Sequence, residues 1–173
     1  KKSIPKIQSW IDELGVVVQL TKPRQTKLGD FKVVDKRLFV SVNNNLNPYA
    51  FLITLTHELA HAFVYKKYKN SVNPHGNEWK ITFKSMLLNF MSPDYFPEDI
   101  LKALSLYIKK PKASTLIDVN LFLALKMYNT YKSLILSDIK EGNEFTISNG
   151  RSFFKGPKLR KRFKCIEKKT KKA

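Results

Sequence analysis

Leu55-Thr56-His57-Glu58-Leu59-Ala60-His61-Ala62-Phe63 is the stretch on which the reading of this chain turns. Four residues separate the two histidines, so on a helix they project from one face about one turn apart. That spacing lets two imidazole nitrogens reach a single ion, and the glutamate between them is placed to act as a base in an HExxH metallopeptidase motif. At about 100° per residue, Leu52, Leu55, Leu59, Ala62 and Phe63 gather on one side of the helix. His57 and His61 fall nearly opposite, which predicts a core stripe and a separate, exposed histidine stripe.

A catalytic zinc ion commonly takes three protein ligands and keeps a fourth position open. The chain has 3 histidines, and the third is His75 in Asn73-Pro74-His75-Gly76-Asn77-Glu78-Trp79. It stands at a loop-to-helix junction, where Gly76 would let the backbone approach closely. Glu78 is the rival third ligand, or else a partner that orients one. Trp79 reads as core packing, and Tyr65 and Tyr68 are candidates for stabilising a tetrahedral oxyanion.

Outward from this centre, Asn47 and Pro48 are an N-cap and first residue for a helix running to about Lys69. Upstream, apolar residues at helical spacing predict a helix from Ile4 to Leu14, capped by Ser3 and ended by Gly15. A strand follows at Val16–Leu20. Thr26–Val34 and Arg37–Val42 read as an antiparallel hairpin turning at Asp35-Lys36. Its second strand is a candidate edge for an extended substrate peptide. Downstream, helices are expected over about Gly76–Phe90, Pro97–Ile108 and Ile117–Tyr128. The region from Glu144 to Glu167 changes to two or three short basic strands. The expected division is a catalytic domain over 1–140 and a basic β-rich region over 141–173, which looks as though it could continue past Ala173.

Of the 173 residues, 43% are hydrophobic and 12% aromatic, enough for a real core. No membrane span or secretory signal is visible. One cysteine, Cys165, excludes an internal disulfide and a Cys-rich zinc ribbon, and fits a cytoplasmic protein. The net charge is +18, and residues 151–173 hold 11 Lys/Arg against one Glu. Such an excess attracts polyanions, with nucleic acid the commonest. Arg151, Lys155, Lys158, Arg160, Lys161, Arg162 and Lys164 are the candidate contacts. Phe153, Phe154 and Phe163 interleave with them, a pattern that suits single-stranded DNA if the rings are not simply the region's own core.

The blocks Thr26-Lys-Leu-Gly-Asp-Phe, Val42-Asn-Asn-Asn-Leu-Asn, Leu55-Thr-His-Glu-Leu-Ala-His and His75-Gly-Asn-Glu-Trp together resemble the SprT-like family, over roughly residues 10–110. The resemblance implies an α+β, zincin-like metalloprotease core with a small antiparallel sheet on the HExxH helix. It implies zinc on His57, His61 and His75, with Glu58 as the catalytic glutamate. Relatives include Spartan-type proteases that degrade proteins crosslinked to DNA. Many relatives add a Cys-rich zinc ribbon that this chain cannot build, and its basic β region would take over nucleic-acid docking. The expected function is therefore that of a monomeric zinc endopeptidase for DNA-associated proteins. A nucleic-acid-binding zinc module and a general cytoplasmic peptidase are the alternatives.

Overall fold

Asn47 and Pro48 begin the longest helix of a computed structural model that describes residues 2–24, 26–112, 118–130, 134–160 and 162–173. The Asn47 side chain accepts from the backbone N–H groups of Tyr49 and Ala50, so two donors that a helix start leaves unpaired are satisfied. The chain divides into two units, Lys1–Thr130 and Tyr131–Ala173.

In the first unit, helix α1 (Ile4–Leu14) ends at Gly15, whose φ of 63° gives the left-handed turn into strand β1 (Val16–Thr21). Strands β2 (Gly29–Val34) and β3 (Arg37–Asn43) form the expected hairpin. Then come α2 (Pro48–Tyr68), α3 (Asn77–Leu88), α4 (Glu98–Tyr107) and α5 (Val119–Lys126). Ile117, the expected start of α5, lies outside the described residues. Among the described residues, no helix is long and apolar enough to cross a membrane.

The architecture is α+β, with a three-stranded sheet packed on α2. The sheet is mixed rather than antiparallel throughout, because β1 pairs in parallel with β3 and the order is β1-β3-β2. The loop 22–28 must therefore cross the end of β3, a span of about 9.5 Å. Asn43 pins it there. Its side-chain N–H groups donate to the carbonyls of Arg24 (3.1 Å) and Lys27 (3.0 Å), and its Oδ1 accepts from Arg24 Nε at 2.9 Å. With neighbours on both sides, β3 has no free edge, so the substrate edge expected at Arg37–Val42 is not there. The outer strand beside α2 is β2.

Helix α2 departs from the two-stripe expectation as well. Leu52, Leu55, Leu59 and Ala62 are buried, but so are Ile53, Thr54, Thr56, His57 and Glu58. The helix is covered by β2 and β3 on one side and by α3 on another, and a helix covered on several sides needs no polar face.

The second unit holds β4 (Glu144–Thr146), β5 (Ser152–Lys158) and β6 (Phe163–Glu167) as an antiparallel sheet, preceded by a short 3-10 turn at Leu136–Asp138. Lys155 is 7% exposed, and its Nζ donates to the carbonyls of Ser137 and Ile139. This ties the turn to the sheet, and both lie in the second unit.

Candidate metal centre

His57 and His61 leave α2 one turn apart, and His75 arrives from the loop before α3. Their Nε2 atoms form a triangle with sides of 3.2 Å (His57–His75), 3.2 Å (His57–His61) and 3.0 Å (His61–His75). A tetrahedral ion bound through bonds of about 2.0–2.1 Å spaces its nitrogen ligands about 3.3 Å apart. The triangle fits one such ion, and among the described residues these three side chains are the group that could hold one. Glu78, the rival ligand, is not in the cluster. It lines a separate groove of about 800 Å³ with Trp10, Phe63 and Tyr68. Tyr68 lines that separate groove, whereas Tyr65 shares a pocket with His61.

The donors are held in the right charge state. Burial, followed by its neighbours His61 and His75, pushes the pKa of His57 down to about 2. Burial and His75 bring His61 down to about 4, and burial with Lys80 lowers His75. All three imidazoles are neutral at neutral pH, with lone pairs available to a borderline divalent cation.

Trp79 makes the floor. It is 0% exposed, and its ring centroid lies 4.5 Å from His57, 5.3 Å from His61 and 4.7 Å from His75. Phe83 stacks beneath it at 5.0 Å. Trp79 Nε1 also donates a long hydrogen bond, 3.4 Å, to the His57 carbonyl. The expected core residue is thus also what the ligand rings rest on. His75 has a φ of 59°, a left-handed conformation that costs a side-chain-bearing residue about 1–2 kcal/mol. Gly76 follows where a Cβ would stand 2.9 Å from the Asn73 carbonyl oxygen.

Glu58 is 7% exposed and lies under β2. A Cβ on Gly29 would stand 2.6 Å from Glu58 Oε1 and 2.7 Å from its Cγ, so only glycine lets the strand close over this side chain. Burial, with Asp30 adding to it, pushes the Glu58 pKa up to about 8 against the opposing pull of Arg24, Lys27 and a hydrogen bond from the Phe31 backbone. Arg24 is itself held by Asn43 Oδ1 and by Ser41 Oγ at 3.1 Å, while its Nη2 is buried without a partner among the described residues. Gly29, Arg24 and Asn43 were not singled out by sequence reasoning as supports of Glu58. The signal available was the run Thr26-Lys-Leu-Gly29, whose glycine does not sit in a turn.

The candidate basic contacts of the second unit fall into three groups. Lys155 is spent internally, with its Nζ 4.3 Å from the Phe163 ring centroid, and it is not a free contact. Arg151 pairs with Glu167 at 2.7 Å and lies over Phe153, which stacks on Phe145. Lys158, Arg160, Arg162 and Lys164 are exposed around the β5–β6 turn, closed by Leu159 N–H donating to the Arg162 carbonyl at 2.7 Å. Lys161 lies outside the described residues. Phe153 and Phe163 thus serve the unit's own packing.

Compared with known proteins, residues 22–96 match the SprT-like family. No curated protein and no solved structure matches the chain. The matched segment runs from the loop after β1 to the residue before Pro97, and it contains all three histidines, Glu58 and the strand that covers it. Residues 22–96 are a SprT-like family domain, a metallopeptidase domain of the HExxH type.

Proposed function

We propose that this chain is a zinc-dependent endopeptidase that acts on DNA-associated or DNA-crosslinked proteins. The observation that carries the peptidase reading is three neutral imidazole nitrogens within 3.0–3.2 Å of one another, two of them on the helix that also carries the buried Glu58. His57, His61 and His75 would hold the zinc ion, which supplies Lewis acidity at the scissile carbonyl and acidifies water beside it. Glu58 moves the proton. As the carboxylate, the form that a bound cation would favour over the metal-free one, it takes a proton from the attacking water and hands it on to the departing amine nitrogen. Gly29 and Phe31 keep that carboxyl under β2. The outer strand β2 also offers its backbone to an extended substrate.

The DNA reading rests on the charge of the second unit. Lys158, Arg160, Arg162 and Lys164 are exposed around one turn, where they suit phosphates. The test is cleavage of a DNA-binding protein by the zinc-loaded chain, with and without single-stranded DNA, beside Glu58→Gln. Cleavage that needs both DNA and Glu58 is expected. Cleavage that needs Glu58 but ignores DNA would leave a general peptidase. No cleavage by zinc-loaded protein would leave a binding module.

A further inference from the structure

Beside His61 lies a pocket of about 280 Å³. Its walls are Phe31 of β2, Val64 of α2, and Val72 and Pro74 of the loop that delivers His75, with Trp79 below. We infer that this pocket is the peptidase's specificity subsite, taking one large apolar or aromatic substrate side chain next to the scissile bond and rejecting basic ones. The inference rests on the peptidase reading above.

Three observations support it. The volume is below the roughly 300–1,000 Å³ that encloses a whole small molecule, so it suits a single side chain. Phe31, Val64, Val72 and Pro74 give the pocket an apolar wall, with Asn70 and Asn73 in the rest of its lining, and Phe31 offers an aromatic ring, so a substrate ring gains both buried area and an aromatic contact. Lys69 stands at the rim with its Nζ 5.1 Å from the Tyr65 ring centroid, and a cation there repels lysine and arginine.

The loop is also set in shape. Lys69 has a φ of 53° and His75 a φ of 59°, so a side-chain-bearing residue in a glycine-favouring conformation stands at each end of residues 70–74. Strain of this kind persists where surrounding structure imposes it. One loop therefore fixes both the third ligand and the pocket wall, and links the position of the metal to the shape of the subsite.

The test is binding rather than turnover. Zinc-loaded full chain is titrated with three hydroxamates that bear hydrogen, benzyl or aminobutyl on the carbon next to the chelating group. The benzyl compound should bind at least tenfold tighter than the hydrogen one, within the range that apolar pockets discriminate. The aminobutyl compound should bind no tighter than hydrogen. Val72→Trp should erase the benzyl advantage, and Lys69→Glu should give the aminobutyl compound an advantage that it lacks in the parent. Equal binding of benzyl and hydrogen, or a benzyl advantage that survives Val72→Trp, overturns the subsite and leaves the peptidase reading standing. If no hydroxamate binds a chain shown to hold zinc, the open metal centre itself is refuted and the subsite with it.

Discussion

Glu58 and the histidines of α2 respond to pH in opposite senses, and the two can be separated in the metal-free chain. The folded pKa of Glu58 is raised to about 8, so the folded chain keeps a proton that the unfolded chain releases above its ordinary value of 4.5. This contribution to stability is full below about pH 4.5 and is lost as pH rises toward 8. His57 and His61 have folded values lowered to about 2 and about 4 from 6.5. Below pH 6.5 the unfolded chain takes up protons that the folded chain refuses, so stability falls with falling pH. Between pH 6.5 and 4.5 the two histidines outweigh the glutamate by about one proton, or about 1.4 kcal/mol per pH unit. Glu58→Gln removes the opposing proton. Thermal unfolding of the metal-free variant should therefore show higher stability than the parent at pH 7.5, on the order of 1–3 kcal/mol, and a slope below pH 6.5 steeper than the parent's by about one proton, or about 1.4 kcal/mol per pH unit. Equal slopes would mean that Glu58 is ionised in the fold.

The close approach of β2 to α2 makes a prediction about elements. Gly29→Ala adds a methyl group 2.6 Å from Glu58 Oε1 and 2.8 Å from Thr54 Cγ2, so either the strand lifts or the carboxyl turns aside. The expected outcome is a loss of about 1–3 kcal/mol, as overpacking gives. Peptidase activity should fall at least about tenfold while zinc affinity, measured by competition with a chelator, stays near the parent's. A variant of full activity would show that Glu58 does not need the strand above it. This contact also marks where sequence reasoning runs out. His57 and His61 are legible because a spacing of four is a local property of a helix, and His75 because a proline, a glycine and a scarcity of histidines point to it. Glu58's cover comes from a glycine 29 positions upstream, and no periodicity reports a contact between two separate elements. The same limit explains α2. Its apolar pattern shows one face to be buried, but only the placement of α3 reveals that His57 is buried too.

At the scale of the whole molecule, the excess of charge is legible as a sum but not as a direction. Composition counts Lys155 with Arg160, yet Lys155 turns inward onto two carbonyls while Arg160 faces solvent. Replacing Lys158, Arg160, Arg162 and Lys164 together by alanine should weaken binding to single-stranded DNA. It should also flatten the plot of log affinity against log salt by about three, at about 0.7 per phosphate contact. An unchanged slope would place the phosphates elsewhere. Lys155→Ala should instead lower the unfolding temperature of the second unit. The α+β layout of the first unit is legible from its strand and helix signals, whereas the parallel pairing of β1 is not, because it depends on where a seven-residue loop crosses.

Trp79 gives the protein a spectroscopic property of its own. The chain has 2 tryptophans, and the other, Trp10, packs edge-on to Phe90 in a different part of the core. Trp79 has all three ligand rings within 5.3 Å, so its indole emission responds to whether those rings are bare, protonated or holding an ion. In a Trp10→Phe background the domain becomes a one-fluorophore sensor, and occupancy of the metal centre can be followed in real time without a label.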